Sequence, residues 1–209
     1  MKKVLLVTLF VGAISLNAQN SENDKRIIPK GTWNIGGDFS FGLSNLESSS
    51  GDVTVESDRT TISLFPRVGY AFDDNWMVGL KTGYGYSRFE NENNGNFEGK
   101  GESITVAPYA RRYFGVGNKL LFYLQGELGY TGSWSESFGD MTPRSTSSAD
   151  EFYVAFRPGV TFFVSNRLAF ESSIGALRYS TIKRDRFRSK TFELNLDSSN
   201  LLFGLSYYF

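Results

Sequence analysis

The chain has 209 residues, with 22 basic and 22 acidic side chains, no cysteine and no histidine. That composition excludes disulfides and thiolate metal sites, and a formal charge of zero leaves no electrostatic footprint for nucleic acid. An aromatic share of 16% with 22 glycines suits half-apolar alternating strands.

Met1-Lys2-Lys3 is a short basic stretch, Val4 to Leu16 is mostly apolar, and Leu16-Asn17-Ala18 places a small residue before Gln19. This is the pattern of a secretory signal peptide over residues 1–18, cut after Ala18. The apolar stretch is shorter than the ~20 residues of a spanning helix, and a lipid anchor would need a cysteine at the cut. No later segment is apolar enough for a helical span, yet an exported chain can still live in a membrane as a closed barrel of strands. Removing Lys2 and Lys3 leaves 20 basic against 22 acidic groups.

A polar leader, residues 19–31, precedes one domain over residues 32–209 that reads as eight alternating segments. Side chains on a strand point alternately to opposite faces. The first segment sets Trp33, Ile35, Phe39, Phe41 and Leu43 against Asn34, Asp38 and Ser40. The second sets Ile62, Leu64, Pro66, Val68, Tyr70 and Phe72 outward, with Ser63, Phe65 and Arg67 opposite, and ends in the turn Asp73-Asp74-Asn75. The third opposes Trp76, Val78, Leu80, Thr82, Tyr84 and Tyr86 to Met77, Lys81 and three glycines. In the fourth, Ile104, Val106 and Pro108 face out while Thr105, Tyr109 and Arg111 face in; a turn at Gly115-Val116-Gly117-Asn118 follows. The fifth places Leu120, Phe122, Leu124, Leu128 and Tyr130 outward and Tyr123, Gln125 and Glu127 inward. The sixth opposes Phe152, Val154, Phe156, Pro158, Val160 and Phe162 to Tyr153, Arg157 and Thr161. After Ser165-Asn166-Arg167, the seventh sets Leu168, Phe170 and Ile174 against Glu171, Ser173 and Tyr179. The last runs through Leu201, Phe203, Leu205, Tyr207 and Phe209, opposite Leu202, Gly204, Ser206 and Tyr208.

Each segment spans about 9 to 13 residues, the length at which a tilted strand crosses the hydrocarbon. Short connections follow the second, fourth and sixth, and long ones intervene, so the short turns would face the periplasm. Pro66, Pro108 and Pro158 each stand six residues before a strand end, at Phe72, Phe114 and Val164. Proline donates no ladder bond, so these mark a shared break or bulge in three related hairpins. Phe192, Leu194 and Leu196 use even positions whereas Leu201 to Phe209 use odd ones, which predicts a register break near Asp197 to Asn200. Trp33, Tyr70, Trp76, Tyr130 and Tyr207 at segment ends suit membrane interfaces.

These segments, with Pro66-x-x-Gly69-Tyr70, the short turns and the terminal Phe209, resemble the small outer-membrane β-barrel family to which the OmpA transmembrane domain and OmpX belong. The resemblance implies an all-β, eight-stranded antiparallel up-and-down transmembrane β-barrel in the outer membrane of a Gram-negative cell. It also implies that Leu205, Tyr207 and Phe209 form the C-terminal signal read by the outer-membrane assembly machinery. It does not specify an activity.

The inward faces hold Asp38, Arg67, Lys81, Arg111, Glu127, Arg157 and Glu171. An eight-stranded lumen is filled by its own side chains, so these charges are expected to pair into a structural network rather than line a channel. A basic fourth loop, with Lys183, Arg184, Arg186, Arg188 and Lys190, is a candidate contact for lipopolysaccharide phosphates. Acidic stretches at 44–59 and 133–150 read as outer loops. No catalytic, cofactor or metal residues are assigned: a Ser-His nucleophile is impossible without histidine, and Asp73-Asp74 looks like a turn former. The reading is a non-enzymatic, monomeric barrel with a structural or surface-interacting role, in contact with outer-membrane lipids. Two alternatives stay open. One is a narrow, porin-like pore for ions or small solutes. The other is a soluble periplasmic lipocalin-like barrel, which would turn Trp33, Phe122 and Phe156 inward and leave Arg67, Arg111 and Arg157 in water.

Overall fold

The computed structural model describes residues 25–50, 53–91, 97–139, 142–184, 187–195 and 201–209. The expected signal peptide, the first part of the leader and Arg186 lie outside these residues.

Strict alternation over long runs makes strands, and among the described residues these are β1 (Trp33–Ser50), β2 (Val53–Asp73), β3 (Trp76–Asn91), β4 (Phe97–Gly115), β5 (Leu120–Gly139), β6 (Thr142–Phe163), β7 (Leu168–Ile174), β8 (Ala176–Arg184), β9 (Phe187–Asn195) and β10 (Leu201–Tyr208). Every pairing is antiparallel, and the β5–β6 and β1–β10 pairs bring the sheet round into a ring. β7 and β8 follow each other along β6, and β9 and β10 lie along β8 and β7 in turn, so the ring has eight walls. Closure runs from Asn34↔Tyr208 to Phe39↔Phe203, extended at the chain end by reciprocal bonds between Trp33 and Phe209, N···O 2.8 and 3.0 Å. Beyond Phe39, β1 pairs only with β2 among the described residues.

The wall is inverted relative to a water-soluble barrel. Trp33, Phe39, Leu64, Leu80, Ile104, Leu128, Phe156 and Leu205 lie on the outside, 41–60% exposed, whereas Arg67, Arg111, Gln125, Glu127 and Glu171 are buried within. An apolar outer band with polar groups inside is the arrangement that lipid as solvent demands. The lipocalin-like alternative fails on it, since Trp33 and Phe156 face out and Arg67 and Arg111 face in. Aromatic pairs mark both edges of the band: Trp33–Tyr70 and Tyr207–Phe209 at the turn end, with ring centroids 5.1 and 6.0 Å apart, and Tyr130–Phe152 at 4.9 Å on the other side.

Two expectations need correction. The first six strands run 16 to 22 residues, well beyond 9 to 13. Ladder bonds need no apolar side chains, so polar stretches read as loops continue to pair, as in Asn45↔Asp58 and Ser135↔Ser147. The barrel therefore carries β-hairpin walls above the lipid band rather than loops at 44–59 and 133–150.

The second correction concerns Tyr179, which faces outward, 45% exposed. The seventh wall changes parity at Gly175, whose φ of +64° is the left-handed conformation that glycine adopts without strain. Pairing with β6 shifts there by one residue, from Gly159↔Ser173 to Phe156↔Leu177, which is a bulge that sends the next side chains to the opposite face. The register of the eighth wall also changes, since Ile174 faces Leu201 whereas Ala176 faces Asn195. Residues 196–200, which hold the expected break near Asp197 to Asn200, lie outside the described set.

Residues 25–31 of the leader are tied to the barrel's turn end, as described below. The prolines share a local geometry. Register partners skip from Leu64↔Tyr84 to Arg67↔Lys81 at Pro66, from Val106↔Tyr130 to Tyr109↔Glu127 at Pro108, and at Pro158 coincide with the Gly175 bulge. Each skip lies between the two strands of one turn-linked hairpin, on the side where proline would have to donate.

Lumen glycines make room for rings from neighbouring walls. A Cβ on Gly159 would meet the Tyr123 ring and the Ser172 carbonyl, while one on Gly117, in a turn, would meet nothing within 4 Å. Gly159→Val should destabilise the barrel by about 1–3 kcal/mol through overpacking and lower the temperature at which folded migration is lost on a gel; Gly117→Ala should leave that temperature unchanged.

Candidate functional site

The inward faces of β1, β2, β3, β4, β5, β6 and β7 deliver charged heads to one volume, where Ser206 and Tyr208 of β10 join them. Arg67 from β2 holds Asp38 of β1 through both carboxylate oxygens, at 2.9 and 2.8 Å, and Glu171 of β7 at 2.8 Å. Its Nη2 also donates to Ser206 Oγ of β10 at 2.9 Å. Arg111 of β4 donates to the same Glu171 oxygen at 2.6 Å and spends Nε and Nη2 on the Gln125 carbonyl of β5, at 2.9 and 2.7 Å. The other Glu171 oxygen accepts from Tyr208 at 2.6 Å, and Tyr113 bridges Arg111 and Tyr208 at 3.0 and 3.1 Å. Glu171 thus accepts from three walls and is 2% exposed.

A second knot lies against the first. Glu127 of β5 accepts from Lys81 of β3 at 2.5 Å and from Arg157 of β6 at 2.6 Å. Gln125 joins the knots, because its carbonyl faces Arg111 while its amide reaches Glu127 at 3.2 Å. The Arg111 guanidinium also stacks on Tyr123, 4.0 Å from the ring centroid, a cation–π contact that adds to its fixation. All seven charges named from the sequence meet here, four cations against three carboxylates. The sequence reading left Tyr113 unassigned; its position two residues beyond Arg111 on the same strand was the available signal.

Above the knots the lumen widens into a hydroxyl-lined cup of about 340 Å³, bordered by Ser63, Ser87, Ser103, Ser133, Ser147 and Arg184. Two residues along the strands from Ser103 and Ser133, toward the knots, the Thr105 and Thr131 hydroxyls pair at 2.9 Å.

The basic residues expected in a loop are instead carried by the β8–β9 ladder, which continues beyond the apolar pattern, and they divide between its two faces. Lys183 is the register partner of Arg188 and Thr181 that of Lys190, and both pairs share the parity of Tyr179↔Phe192, whose rings are exposed on the lipid side. Lys183, Arg188 and Lys190 therefore form one outward row just beyond the apolar band. Arg184 instead lines the cup, and Arg186 lies outside the described residues. Asp150, the β6 partner of Lys183, is the nearest acid in register and accepts from Tyr130 at 2.6 Å. Farther round, Arg144 hydrogen-bonds Glu136 and holds its carboxyl below the usual carboxylate range. At the chain end, Leu205, Tyr207 and Phe209 are exposed on the lipid side, while Gly204, Ser206 and Tyr208 are buried.

Among solved structures, the chain is similar to OprG of Pseudomonas aeruginosa, at 15% identity and a TM-score of 0.48 over 87% of this chain and 97% of that one. It is similar to Ail of Yersinia pestis, at 16% identity and 0.45 over 86% and 99%, and to the Neisserial surface protein NspA, at 17% and 0.38 over 88% and 100%. No curated protein matches. A model of the outer membrane protein beta-barrel domain matches residues 6–209. With that match, the inverted wall and the ring of eight antiparallel walls, the chain belongs to the outer membrane protein β-barrel domain family and lives in the outer membrane.

Proposed function

We propose that this outer-membrane protein is a non-conducting, non-enzymatic barrel whose lumen is a structural ion network and whose outer face engages lipopolysaccharide. The observation that carries the first half is the unbroken chain of contacts Asp38–Arg67–Glu171–Arg111–Gln125–Glu127, with Lys81 and Arg157 on its last member. It spans from β1 across to β5 and β6, so the groups that would have to move aside for a solute are held by neighbours on several walls. A buried charge is stable only when paired and hydrogen-bonded, and here each mutually supports the next.

The second half rests on the row Lys183, Arg188 and Lys190. These cations stand immediately beyond Tyr179 and Phe192, at the height of lipid phosphates, and face the membrane plane rather than the lumen. Amines and guanidinium groups at that height pair with phosphate oxygens through charge-assisted hydrogen bonds. Arg184, turned into the cup, takes no part. Leu205, Tyr207 and Phe209 serve as the strand signal for the assembly machinery, and the protein acts as a monomer.

Three outcomes follow. In planar bilayers the purified protein should give no ion conductance, and Glu127→Gln should give none either; steady unitary conductance in the parent would favour the narrow-pore reading. Glu171→Ala, which leaves Arg111 with no carboxylate partner and Arg67 with Asp38 alone, should cost roughly 3 to 5 kcal/mol in urea unfolding from lipid vesicles. Replacing Lys183, Arg188 and Lys190 together by Ser should weaken lipopolysaccharide retention on the order of a hundredfold at low salt, from about 1 kcal/mol per cation. Added salt should narrow that difference, and unchanged retention would remove these residues from the contact.

A further inference from the structure

We infer that residues 25–31 are a built-in plug that seals the periplasmic end of the barrel, leaving a lumen open only to the cell exterior. The segment crosses the turn end and is bonded to all three turns. Arg26 donates its backbone N–H to the Gly117 carbonyl in the β4–β5 turn at 2.9 Å, and its guanidinium to the Asn166 carbonyl in the β6–β7 turn at 2.5 Å. That guanidinium also covers the Phe163 ring, 3.7 Å from its centroid. Ile28 exchanges two bonds with Asn75 in the β2–β3 turn: its N–H donates to the Asn75 side-chain oxygen, and its carbonyl accepts the Asn75 N–H, both at 2.8 Å. Lys30 N–H then donates to the Asp74 carboxylate at 2.9 Å, and Gly31 N–H to the Ala71 carbonyl at 2.8 Å.

The side chains alternate like the bonds. Ile27 points away, 52% exposed, while Ile28 is 2% exposed and packs with Met77, Tyr113, Leu121, Phe163 and Tyr208. This apolar layer lies at the turn end of the lumen and includes the two tyrosines that bond Arg111 and Glu171. Ile28 is its stopper. An alternating tether bonded to three turns has the features of a fixed structural element, since the backbone donors of Arg26, Ile28, Lys30 and Gly31 each find an acceptor there, Arg26 Nε alone staying buried without one among the described residues. Asn75 is suited to its place: its backbone is left-handed, φ +61°, and this turns its side-chain oxygen and N–H to the strap while its carbonyl accepts from Tyr113 N–H at 2.9 Å.

The inference extends the non-conducting reading by giving the lumen a direction, and it can be tested separately. The chain has no cysteine, so Met77→Cys supplies one thiol under the plug and Ser63→Cys one thiol in the cup. Outer-membrane fragments accessible from both sides are treated with a charged maleimide, for the full chain and for a second variant carrying Arg26→Ala with Ile28→Gly. The thiol at position 77 should be protected in the full chain and react at least tenfold faster in the strap variant. The thiol at position 63 should react equally in both, and folded migration on unboiled gels should persist, so that exposure is not mistaken for unfolding. Reaction at position 77 in the full chain, or protection in both, would overturn the plug. Planar-bilayer recording keeps the two proposals apart: conductance by the full chain would count against the ion network, whereas the thiol measurement bears on the strap alone.

Discussion

At the level of the lipid band a ring of eight strands is filled by its own side chains, and the rest of this structure follows from how that polar interior is neutralised. Lipid outside requires apolar side chains on one face of every strand, and the pleat then sends every second residue into the lumen. Those residues must satisfy one another. Glu171 is where the solution converges, accepting from Arg67, Arg111 and Tyr208 on three different walls. Gln125, a neutral residue with both an acceptor and a donor, passes the network to Glu127 without adding a charge. The barrel is thus held by its ladders along the wall and by this knot across it.

The same constraint explains the irregularities. Large heads and rings on some walls require glycine on their neighbours, as Gly159 beneath Tyr123 illustrates. Prolines fall where two strands of a hairpin skip their pairing, and the skip at Pro158 is shared with the bulge at Gly175. That bulge moves Tyr179 to the lipid side and brings Lys183 with it, so one left-handed glycine decides which basic residues stand over the membrane and which, like Arg184, enter the cup. At the other end the turns are short and therefore rigid, which lets a seven-residue strap bond to each of them in succession.

Much of the wall was legible in advance because alternation is a local signal that survives translation into three dimensions. Asp38, Arg67, Lys81, Arg111, Glu127, Arg157 and Glu171 were assignable to the lumen from parity alone. Strand length was not legible: once strands leave the hydrocarbon their outer faces may carry Ser, Thr or Glu, and the apolar pattern that marks a strand disappears while its hydrogen bonds continue. Tyr179 was misplaced because parity was carried across Gly175, and a glycine in a strand announces neither a bulge nor its absence. The leader looked merely polar, since Ile28 is a single apolar residue whose importance depends on the cavity beneath it.

By itself the sequence determined the destination of the side chains: which face of each segment meets lipid, which charges are enclosed, and where the chain must turn. Those properties depend on residues one or two positions apart. Tertiary structure alone decided which enclosed charges pair, how far the walls rise above the membrane, which side of the wall the basic row takes, and that residues 25–31 close the turn end. These outcomes depend on register between strands separated by tens of residues, and register is set by the closing of the whole ring.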